Sequence, residues 1–554
     1  LQGVASNSFG AATDEVALSW HRFSTGVEML TVPSDPANQI WRWRGISPVT
    51  QDEDLSMGDI DRDGDRDLLL GTKWLRNDTS GDTSWADPTR QYRLPFSVLA
   101  NGFVRSDKPA EIDVNFTSLL GSLGRSGAFD ANSIRVVEVD ASDQIIEDAV
   151  PFQFDPASEF DASSNALGTL IILIEGEILA ADERHFQLYF DTADQGPFVP
   201  VPVSPRINTT DNLLDEGQQS FKIETAIGTY YYHKDGGGFS SLDDKDGNDW
   251  ISHSTDAGSS GEFRGIPNLV HPNDGGYFHP GPGIIESSLL ATGPLKTTIL
   301  SKTPDNLWEV MWEIYPDYAQ MSVDQADRNY WFLYEGTPGG SLEIDTDLVV
   351  RADGTETSAA TSWTADISGE EWLYFSDPTA GRSLYLAHHE DDSSVDAYWP
   401  MNEEMTVFGF GRDGNARYLE NSNHFTIGLT DQVTHSNVAT RVNSAFQPLA
   451  VTLGSAQLSG IPAESGPWTA FTLSNNSGDP DRNQLADINK DGRLDAVVGY
   501  EAISRPGLLA WYEAPATPTN IWTEHPIATI IGPMSVDVAD MDGDGDLDVV
   551  AGEH

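Results

Sequence analysis

The sequence has no cysteine, few basic residues and no long apolar run. Without cysteine there are no disulfides, thiol nucleophiles or thiolate metal sites. Only 31 Lys and Arg face 87 Asp and Glu, which gives a net charge of −56. Because phosphate groups and anionic lipids are bound by clustered Lys and Arg, we expect no nucleic-acid partner. No stretch reaches the roughly 18 apolar residues of a membrane span, so we expect no membrane insertion.

The chain is nevertheless long and apolar enough to fold. Its 554 residues are 39% hydrophobic, which predicts several globular domains rather than a disordered chain. Apolar and polar residues alternate in short segments such as residues 110–116, 133–139 and 185–190, the period of half-buried strands. Helical stretches are scarce, and only residues 116–123 suit a turn or two. The predicted fold class is all-β.

Three acidic stretches share one spacing of oxygen-bearing side chains. Each places Asp or Asn at alternate positions of a short loop, has Gly at the sixth position and runs into an apolar, strand-like tail. Alternate oxygens in a tight turn can converge on one cation, and Ca²⁺ prefers carboxylate, amide and carbonyl oxygens. The glycine permits the sharp turn. A helical EF-hand is excluded, because the flanks are strand-like and position 12 lacks Glu.

The three loops predict three Ca²⁺ sites. The predicted ligands of the first are Asp59, Asp61, Asp63, Asp67 and the carbonyl of Asp65. Those of the second are Asp487, Asn489, Asp491, Asp495 and the carbonyl of Arg493. Those of the third are Asp540, Asp542, Asp544, Asp548 and the carbonyl of Asp546. Solvated turns are the weaker interpretation, because the carboxylates would repel one another without a cation. At residues 243–249 Lys245 breaks the same register, so we predict a hairpin turn there.

The sequence around the loops also repeats. Residues 509–515, Trp522 and residues 525–527 precede the third loop, and residues 18–23, Pro33, Trp41 and Ile46 precede the first in the same order. This pattern resembles the FG-GAP/VCBS family of calcium-loop β-propeller repeats, which also occur in integrin α-subunit heads. The resemblance covers residues 13–92 and 465–554. It implies propeller repeats in domains 1–94 and 453–554.

Three calcium loops are fewer than the roughly four to eight blades that close a propeller. We therefore predict a partial or interrupted β-propeller that carries an inserted small β-sandwich and a large one. We expect the remaining blades to belong to a longer chain, with another subunit as the alternative source.

The middle of the chain is predicted to form two further β domains. Residues 95–196 are predicted to form the small β-sandwich, and the Pro-rich residues 197–216 a stiff linker. Residues 217–452 have the sequence features of a large β-sandwich, namely paired strands, a glycine turn at residues 236–238 and the sequence DKDGNDW at residues 244–250. This pattern resembles that of the mutarotase-like or super-sandwich domains of carbohydrate-active enzymes. It implies a catalytic or glycan-binding domain.

One Gly- and Pro-rich loop holds the candidate catalytic residues, Arg264, Tyr277 and His279. A lyase acting on a uronate needs a base, an acid and a cation that neutralises the sugar carboxylate, and these residue types supply them. The alternative is that the loop only packs and forms hydrogen bonds. A glycoside hydrolase would instead use two carboxylates, and the sequence singles out no such pair.

Aromatic and polar side chains elsewhere in the large domain are candidates for sugar binding. The predicted substrate-binding residues are Tyr231, Trp331, Glu335, His388 and Arg412. His388 and His389 are adjacent in a strand, so at most one of them serves a given pocket. An anionic substrate requires a locally basic site in so acidic a chain, and Arg264, Arg382 and Arg412 are the candidates.

Together these features favour a secreted, calcium-binding, carbohydrate-active protein. We expect a polysaccharide lyase that acts on an acidic, uronate-containing polysaccharide. The alternatives are an extracellular adhesin that binds cell-surface glycans without catalysis and a structural subunit of a cell-surface assembly. Calcium loops of modest affinity suit the millimolar calcium outside cells, so we predict an extracellular location.

Overall fold

The computed structural model describes most of the chain. The described residues are 3–7, 15–19, 26–32, 42–47, 54–62, 66–77, 85–87, 89–141, 143–256, 260–420, 422–458, 468–475, 480–500, 505 and 507–553. Within them the protein is all-β, as predicted, with two short α-helices. Short 3-10 helices occupy Ala131–Ser133, Ala193–Gln195, Ser260–Phe263, Pro272–Asp274 and Pro338–Gly340. None of the described helices is long and apolar enough to cross a membrane.

The first described strands belong to two small antiparallel sheets. They are β1 (Gly3–Asn7), β2 (Glu15–Ser19), β3 (Val27–Thr31), β4 (Arg42–Ser47), β5 (Ser56–Gly58), β6 (Asp67–Leu70) and β7 (Lys73–Arg76). β1 to β4 form a four-stranded sheet in chain order, and β5 to β7 lie side by side in the next sheet. The apolar tail of the first acidic loop is β6, where Leu68, Leu69 and Leu70 are completely buried.

A small unit of two sheets follows. Its elements are β8 (Tyr92–Leu99), β9 (Arg105–Asn115), α1 (Phe116–Ser122), β10 (Arg135–Val139), β11 (Ile145–Glu147), β12 (Phe152–Pro156), β13 (Leu167–Ile178) and β14 (Glu183–Phe190). One sheet contains β9, β12 and β13, the other β8, β10, β11 and β14, and both contribute to one core. The helix predicted at residues 116–123 is α1, where Asn115 caps the N-terminus by accepting from the Ser118 amide at 3.0 Å.

A large unit comes next. Its elements are β15 (Asn208–Asp215), β16 (Gln218–Glu224), β17 (Gly228–His233), β18 (Gly238–Asp244), β19 (Glu286–Thr292), β20 (Thr297–Lys302), β21 (Glu309–Ile314), β22 (Ala319–Gln325), β23 (Phe332–Gly336), β24 (Leu348–Arg351), β25 (Glu356–Ser358), β26 (Trp363–Ala365), β27 (Trp372–Asp377), β28 (Arg382–His388), β29 (Asp396–Met401), β30 (Met405–Phe410), β31 (Arg412–Asp413), β32 (Ala416–Arg417), β33 (His424–Thr430) and α2 (His435–Phe446).

The large unit has two layers of strands around one core. One layer is a nine-stranded sheet with the order β19-β20-β21-β22-β33-β28-β27-β24-β25. The other joins the sheet β15-β16-β17-β18 to the sheet β23-β30-β29-β26 through bridges of Ile266 to Phe239 and of Gly265 to Glu335. Residues from both layers, among them Trp312 and Phe332, share the core. We call the side of the second layer that points away from this core the site face.

The outer side of the nine-stranded layer carries α2, and the small unit contacts the end of this helix. Arg105 of β9 donates through Nη1 to the carbonyls of Gln447 at 2.8 Å and Asn443 at 3.1 Å. Lys108 donates through Nζ to the carbonyl of Ala445 at 2.6 Å. The last carbonyls of α2 therefore find their donors in the neighbouring unit.

After α2 the chain returns to the earlier sheets. The remaining strands are β34 (Ala450–Leu453), β35 (Gln457–Leu458), β36 (Thr469–Thr472), β37 (Pro480–Ala486), β38 (Asp495–Tyr500), β39 (Leu508–Glu513), β40 (Thr523–Thr529), β41 (Pro533–Ala539) and β42 (Asp548–Glu553). β34 and β35 pair with β8, and β36 pairs with β7 to give the sheet of β5 to β7 its fourth strand. The small and large units are therefore inserted between the third and fourth strands of one sheet. β37 to β40 form another four-stranded sheet, and β41 pairs with β42.

Several domain boundaries differ from those predicted. β15 lies inside the predicted linker of residues 197–216, where its polar sequence hides an edge strand that pairs with β16. β34 and β35 fall at or beyond the predicted start of the last domain, yet they belong to the sheet of the small unit. The turn at residues 243–249 is a hairpin, as predicted, closed by a bridge between Asp243 and Asp249.

Candidate functional site

The first acidic loop brings carboxylates together. One oxygen each of Asp59, Asp61 and Asp67 lies within 4.8 Å of the others. Asp59 Oδ1 is buried and has no hydrogen-bond partner among the described residues. Burial, with a contribution from the charge of Asp61, raises the pKa of Asp67 to about 7. A divalent cation would stabilise this arrangement. Asp63 and Asp65 lie outside the described residues.

The other two loops have related arrangements. In the third, Asp540, Asp542 and Asp548 bring one oxygen each within 4.8 Å of the others, and all three are exposed. Asp544 accepts from the amide of Asp546 at 2.8 Å. In the second loop, Oδ1 of Asp487 is buried without a hydrogen-bond partner among the described residues.

Two side chains of the second loop hydrogen-bond within it. Asn489 accepts from the amide of Asp491 at 3.1 Å, and Asp491 accepts from the amide of Arg493 at 2.9 Å. The side chain of Arg493 forms an ion pair with Asp491. The carboxylate at the fifth position of this loop is therefore partly neutralised from within the loop.

The three loops share one backbone feature at their fourth position. The fourth position has positive φ in each, at Arg62 (67°), Lys490 (60°) and Gly543 (78°). Positive φ is uncommon for Arg and Lys, so the turn itself imposes this conformation. The sequence prediction named only the sixth position, where Gly492 and Gly545 also have positive φ.

The ninth position fastens each loop to its strand. Asp67, Asp495 and Asp548 each accept, through Oδ2, the amide of the second loop residue, at 2.9, 3.1 and 2.9 Å. These aspartates were predicted as ligands, and the structure gives each of them a hydrogen bond that closes the loop as well.

A second polar centre lies on the site face of the large unit. Successive side chains of a strand point to opposite faces. Because Phe332 and Tyr334 of β23 lie in the core, Leu333 and Glu335 face the other side. Residues 252–256 and 260–283 run over this face, and the backbones of Gly265 and Glu335 exchange hydrogen bonds at 2.6 and 3.0 Å.

His279 lies beside Glu335 in this centre. Its Nε2 is 3.6 Å from Oε2 of Glu335, which also accepts from Nδ2 of Asn268 at 3.0 Å. Both ring nitrogens of His279 lie against carbonyls, Nδ1 at 2.8 Å from Pro280 and Nε2 at 2.9 Å from Phe263. Carbonyls only accept, so the ring carries both protons. Burial opposes this charge, but Glu335 and the two carbonyls outweigh it and raise the pKa of His279.

His253 differs from His279 in its protonation state. Its Nδ1 donates to the carbonyl of Arg264 at 3.1 Å, which leaves Nε2 with the lone pair. Nε2 is buried and has no hydrogen-bond partner among the described residues. Burial, aided by the charge of His279, lowers the pKa of His253 to about 4. His253 is therefore a neutral acceptor at physiological pH, and its ring centre is 6.1 Å from that of His279.

A third histidine supports this pair. His233 donates through Nε2 to Asp215 at 3.0 Å and accepts through Nδ1 from the amide of Gly281 at 2.9 Å. Both of its nitrogens are satisfied, so its tautomer is fixed. A Cβ atom on Gly281 would lie 3.8 Å from Nε2 of His253. The absence of a side chain at residue 281 keeps space beside the unpartnered nitrogen.

Three arginines adjoin the centre. Arg264 donates through Nη1 to the carbonyl of Ser252 at 3.2 Å, and its buried Nε has no hydrogen-bond partner among the described residues. Arg412 and Arg417 lie over the ring of Trp331, at 5.9 and 5.6 Å from its centre. Arg412 also interacts electrostatically with Glu335. Arg417 forms an ion pair with Asp274 at 2.6 Å, so the positive charge that this centre offers to a ligand comes from Arg264 and Arg412.

Arg382 lies elsewhere. It forms ion pairs with Asp244 at 2.7 Å, Asp246 at 2.6 Å and Asp431 at 2.8 Å. Three carboxylates neutralise it, so Arg382 does not contribute to the basic character of the site face.

Several predicted site residues have other roles. Tyr277 is 8% exposed and packs against Phe278 and Trp308, because Phe278 (φ 57°) turns the chain between Tyr277 and His279. Trp331 is buried beneath the arginines, so it positions them and offers no free ring to a sugar. Tyr231 is half-buried and points away from the core, between the core residues Tyr230 and Tyr232.

His388 does not reach the site face. It is 1% exposed, stacks on Phe425 inside the large unit and bonds Glu371 at 2.5 Å and Asn423 at 2.9 Å. Its side chain points into the space between the two layers, so the prediction that it binds substrate is corrected. Glu371, His388 and Asp392 do bring one potential metal-ligand atom each within 4.8 Å of the others.

The sequence prediction missed His253, Asn268 and Arg417. All three are polar residues in or near Gly-rich stretches, which was the available signal. The pairing of Gly265 with Glu335 brings the segment of His253 and Asn268 to this centre, and no local pattern indicates that bridge.

Comparisons with known proteins match part of the chain to one family model. No curated protein matches the chain. The crystal structure of HI1317 resembles part of it with a TM-score of 0.29 and 12% identity, over 40% of this chain and 99% of that chain, which is too little to bear on fold or function. Residues 487–551, which hold the second and third acidic loops, match the model of the FG-GAP-like repeat.

Proposed function

We propose that the protein is a secreted carbohydrate-active enzyme of the polysaccharide lyase type, which cleaves an acidic, uronate-containing polysaccharide on the site face. One observation carries this proposal. Three residues of this centre have buried polar atoms without partners among the described residues, namely His253 Nε2, Arg264 Nε and Asn268 Oδ1. Buried polar groups are normally hydrogen-bonded, and a sugar bound here would supply the missing donors and acceptors.

The arrangement suits β-elimination. Arg264 neutralises the uronate carboxylate, which acidifies the proton on the neighbouring C5. His253 Nε2 accepts this proton, because it is the neutral nitrogen with a free lone pair. The electron pair forms a C4–C5 double bond and the C4–O4 bond breaks. The leaving oxygen takes a proton from the imidazolium of His279, whose charge Glu335 stabilises.

A locally basic site suits an anionic substrate. Arg412, held over Trp331, adds a second guanidinium group that interacts with Glu335, and Arg417, also over Trp331, pairs with Asp274 of the covering loop. Guanidinium groups bind carboxylates in a planar, bidentate manner.

We further propose that the small four-stranded sheets are blades of a propeller stiffened by Ca²⁺. The FG-GAP-like repeat at residues 487–551 and the carboxylates gathered in the first and third loops support this. The pairing of β36 with β7 gives one blade its fourth strand from the far side of the insertion. A calcium-dependent scaffold that carries the enzyme suits an extracellular location.

The test is an assay for the unsaturated product. Wild type is incubated with uronate-containing polysaccharides while the absorbance of a conjugated double bond is followed. We expect His253→Gln to lower the rate by about 100- to 10,000-fold, the usual contribution of a general base. His185→Gln, in β14 of the small unit, is the matched control and keeps full activity.

Two results would overturn the proposal. If His253→Gln stays fully active, the catalytic centre is elsewhere. If wild type binds these polymers but forms no unsaturated product, the protein is a glycan-binding adhesin or a hydrolase, which an assay for reducing ends distinguishes.

A further inference from the structure

We infer that Glu371, His388 and Asp392 form a binding site for one Zn²⁺ ion, separate from the acidic loops and from the site face. One potential ligand atom of each residue lies within 4.8 Å of the others. Glu371 is 2% exposed and His388 is 1% exposed, whereas Asp392 is half-buried. The group therefore lies just beneath the surface, with Asp392 at its edge.

The sheet brings these residues to one end of the nine-stranded layer. β27 and β28 are adjacent and antiparallel, and Glu371 precedes β27 at the end where His388 finishes β28. Asp392 lies in the connection that leaves this end of β28 for β29 in the other layer. Its amide donates to Oε1 of Glu371 at 2.7 Å. Two strand ends and the crossover between the layers therefore meet at this group.

One nitrogen of His388 is committed to a hydrogen bond. Nε2 lies 2.9 Å from Oδ1 of Asn423, whose Nδ2 donates to the hydroxyl of Tyr330 at 2.7 Å and to the carbonyl of Glu420 at 3.0 Å. A carbonyl only accepts, so the amide nitrogen of Asn423 faces Glu420 and its oxygen faces the imidazole. Nε2 therefore carries a proton. Such a hydrogen bond to the far nitrogen is what orients histidines that bind metal ions.

The other nitrogen of His388 faces acceptors. Nδ1 lies 2.5 Å from Oε2 of Glu371, and Asp392, whose amide binds that same carboxylate, adds an oxygen to the group. Ionised carboxylates only accept, so the lone pair of the neutral imidazole meets two further acceptors and no donor. Three acceptors that converge in this way require a cation between them, either a proton or a metal ion.

The charges around the group favour a divalent ion over a proton alone. Glu390 Oε2 lies 3.3 Å from Nε2 of His388, and Asp396, which is 2% exposed, interacts electrostatically with Glu371. Among the described residues no Lys or Arg forms an ion pair with these four carboxylates, and the remaining partner of Glu390 is His424. Histidine protons alone leave this group with an excess of negative charge, which a divalent ion would neutralise.

The ligand types select zinc. Ca²⁺ and Mg²⁺ take oxygen ligands, whereas Zn²⁺ is bound by imidazole nitrogen together with carboxylate oxygens in four-coordinate sites. Three protein ligands leave one position for water, on the half-buried side of Asp392. Zn²⁺ bound here would tie the crossover between the two layers to the ends of β27 and β28, so we assign it a structural role.

Zinc binding is measured on the full chain in an excess of Ca²⁺, which competes for the acidic loops but not for an imidazole. Protein stripped with chelator is titrated with Zn²⁺ by calorimetry, and with Co²⁺, whose visible absorption reports a four-coordinate site. Wild type should bind one equivalent of either ion. Asp392→Asn should weaken binding by about 10-fold or more, and Asn423→Ala by about 10- to 100-fold. Asp391→Asn, which changes the exposed neighbour, is the matched control and keeps full affinity.

The inference is overturned if wild type takes up no Zn²⁺ in excess Ca²⁺, because His388 and Glu371 then share only a proton. It is equally overturned if Asp392→Asn binds Zn²⁺ as tightly as Asp391→Asn, because the ion then lies elsewhere in the acidic chain. Neither measurement involves a polysaccharide, so the outcome is independent of the proposed function.

Discussion

His233 accepts a hydrogen bond through Nδ1 from the amide of Gly281 at 2.9 Å, and this contact fixes the backbone beside His253. The other nitrogen of His233 is held by Asp215, which also accepts from Ser240 at 2.6 Å. Asp215 and His233 thus hold the backbone of Gly281, which lies beside His253 Nε2. Such supporting hydrogen bonds are what keep a reactive group in place.

Gly281→Ala should abolish most activity at a moderate cost in stability. Residue 281 has φ 113°, and its new methyl group would lie 3.8 Å from Nε2 of His253, where the proposed reaction requires room for a substrate. We expect about a 100-fold loss of rate, as for a misplaced reactive group. Unfolding in urea should show about 1–2 kcal/mol of destabilisation from positive φ.

The matched control for this substitution is Gly217→Ala. Gly217 also has positive φ, and nothing lies within 4 Å of its added Cβ. It should lose similar stability and keep full activity. Equal loss of activity in both variants would show that the effect of Gly281→Ala comes from strain and not from the site.

The pKa of His253 predicts an acid-dependent loss of stability. The folded protein holds this pKa at about 4, below the ordinary value of 6.5 in the unfolded chain. Between pH 6.5 and 4 the unfolded chain therefore binds a proton that the folded chain does not. The free energy of unfolding should fall as the pH is lowered through this window, by about 3 kcal/mol in all.

Urea midpoints of wild type and His253→Gln between pH 4 and 7.5 measure this contribution. The variant lacks the titrating group, so its stability should depend less steeply on pH. His185→Gln should follow wild type. Parallel curves for wild type and His253→Gln would contradict the buried, neutral state of this histidine.

Calcium should stabilise the protein, and more strongly at higher pH. Burial raises the pKa of Asp67 to about 7. Without calcium, the unfolded chain therefore ionises this carboxyl between pH 4 and 7 while the folded protein keeps it protonated. The free energy of unfolding should fall as the pH rises through this window. Bound Ca²⁺ displaces the proton and stabilises the carboxylate. At 100 times the dissociation constant the expected gain is about 2.7 kcal/mol per site.

Thermal unfolding with calcium and with chelator, at pH 5 and pH 8, measures this effect. Asp59→Asn weakens the first site and should reduce the calcium-dependent shift, while the control Asp182→Asn, outside the loops, should leave it unchanged. A melting temperature that does not respond to calcium at either pH would contradict the metal assignment.

Arg105→Ala should loosen the joint between the small and large units. Its guanidinium serves several carbonyls at the end of α2, and hydrogen bonds from charged groups contribute about 1.5–3 kcal/mol each. We expect a loss of about 3 kcal/mol or more, with faster hydrogen exchange in α2. Arg206→Ala, which removes an exposed ion pair with Glu175, should cost less than about 1 kcal/mol.

Local features of the fold could be read from the sequence. Alternating apolar residues gave the all-β class, the helix at residues 116–123 is α1, and Lys245 correctly marked residues 243–249 as a turn. The spacing of the acidic loops pointed to the FG-GAP-like repeat, which the match over residues 487–551 supports. These features depend on neighbouring residues alone, because period, turn geometry and donor spacing act over a few positions.

The tertiary structure decided the contacts between residues that are distant in the sequence. The pairing of β36 with β7, the meeting of Gly265 with Glu335 and the burial of His388 between two layers all depend on sheet register. The same turn that sends Tyr277 into the core leaves His279 beside Glu335. A sequence carries the residue types of a site, but a shift of one position in register exchanges the two faces of a strand. Only the assembled sheets therefore determine that His253, and not His388, faces the site.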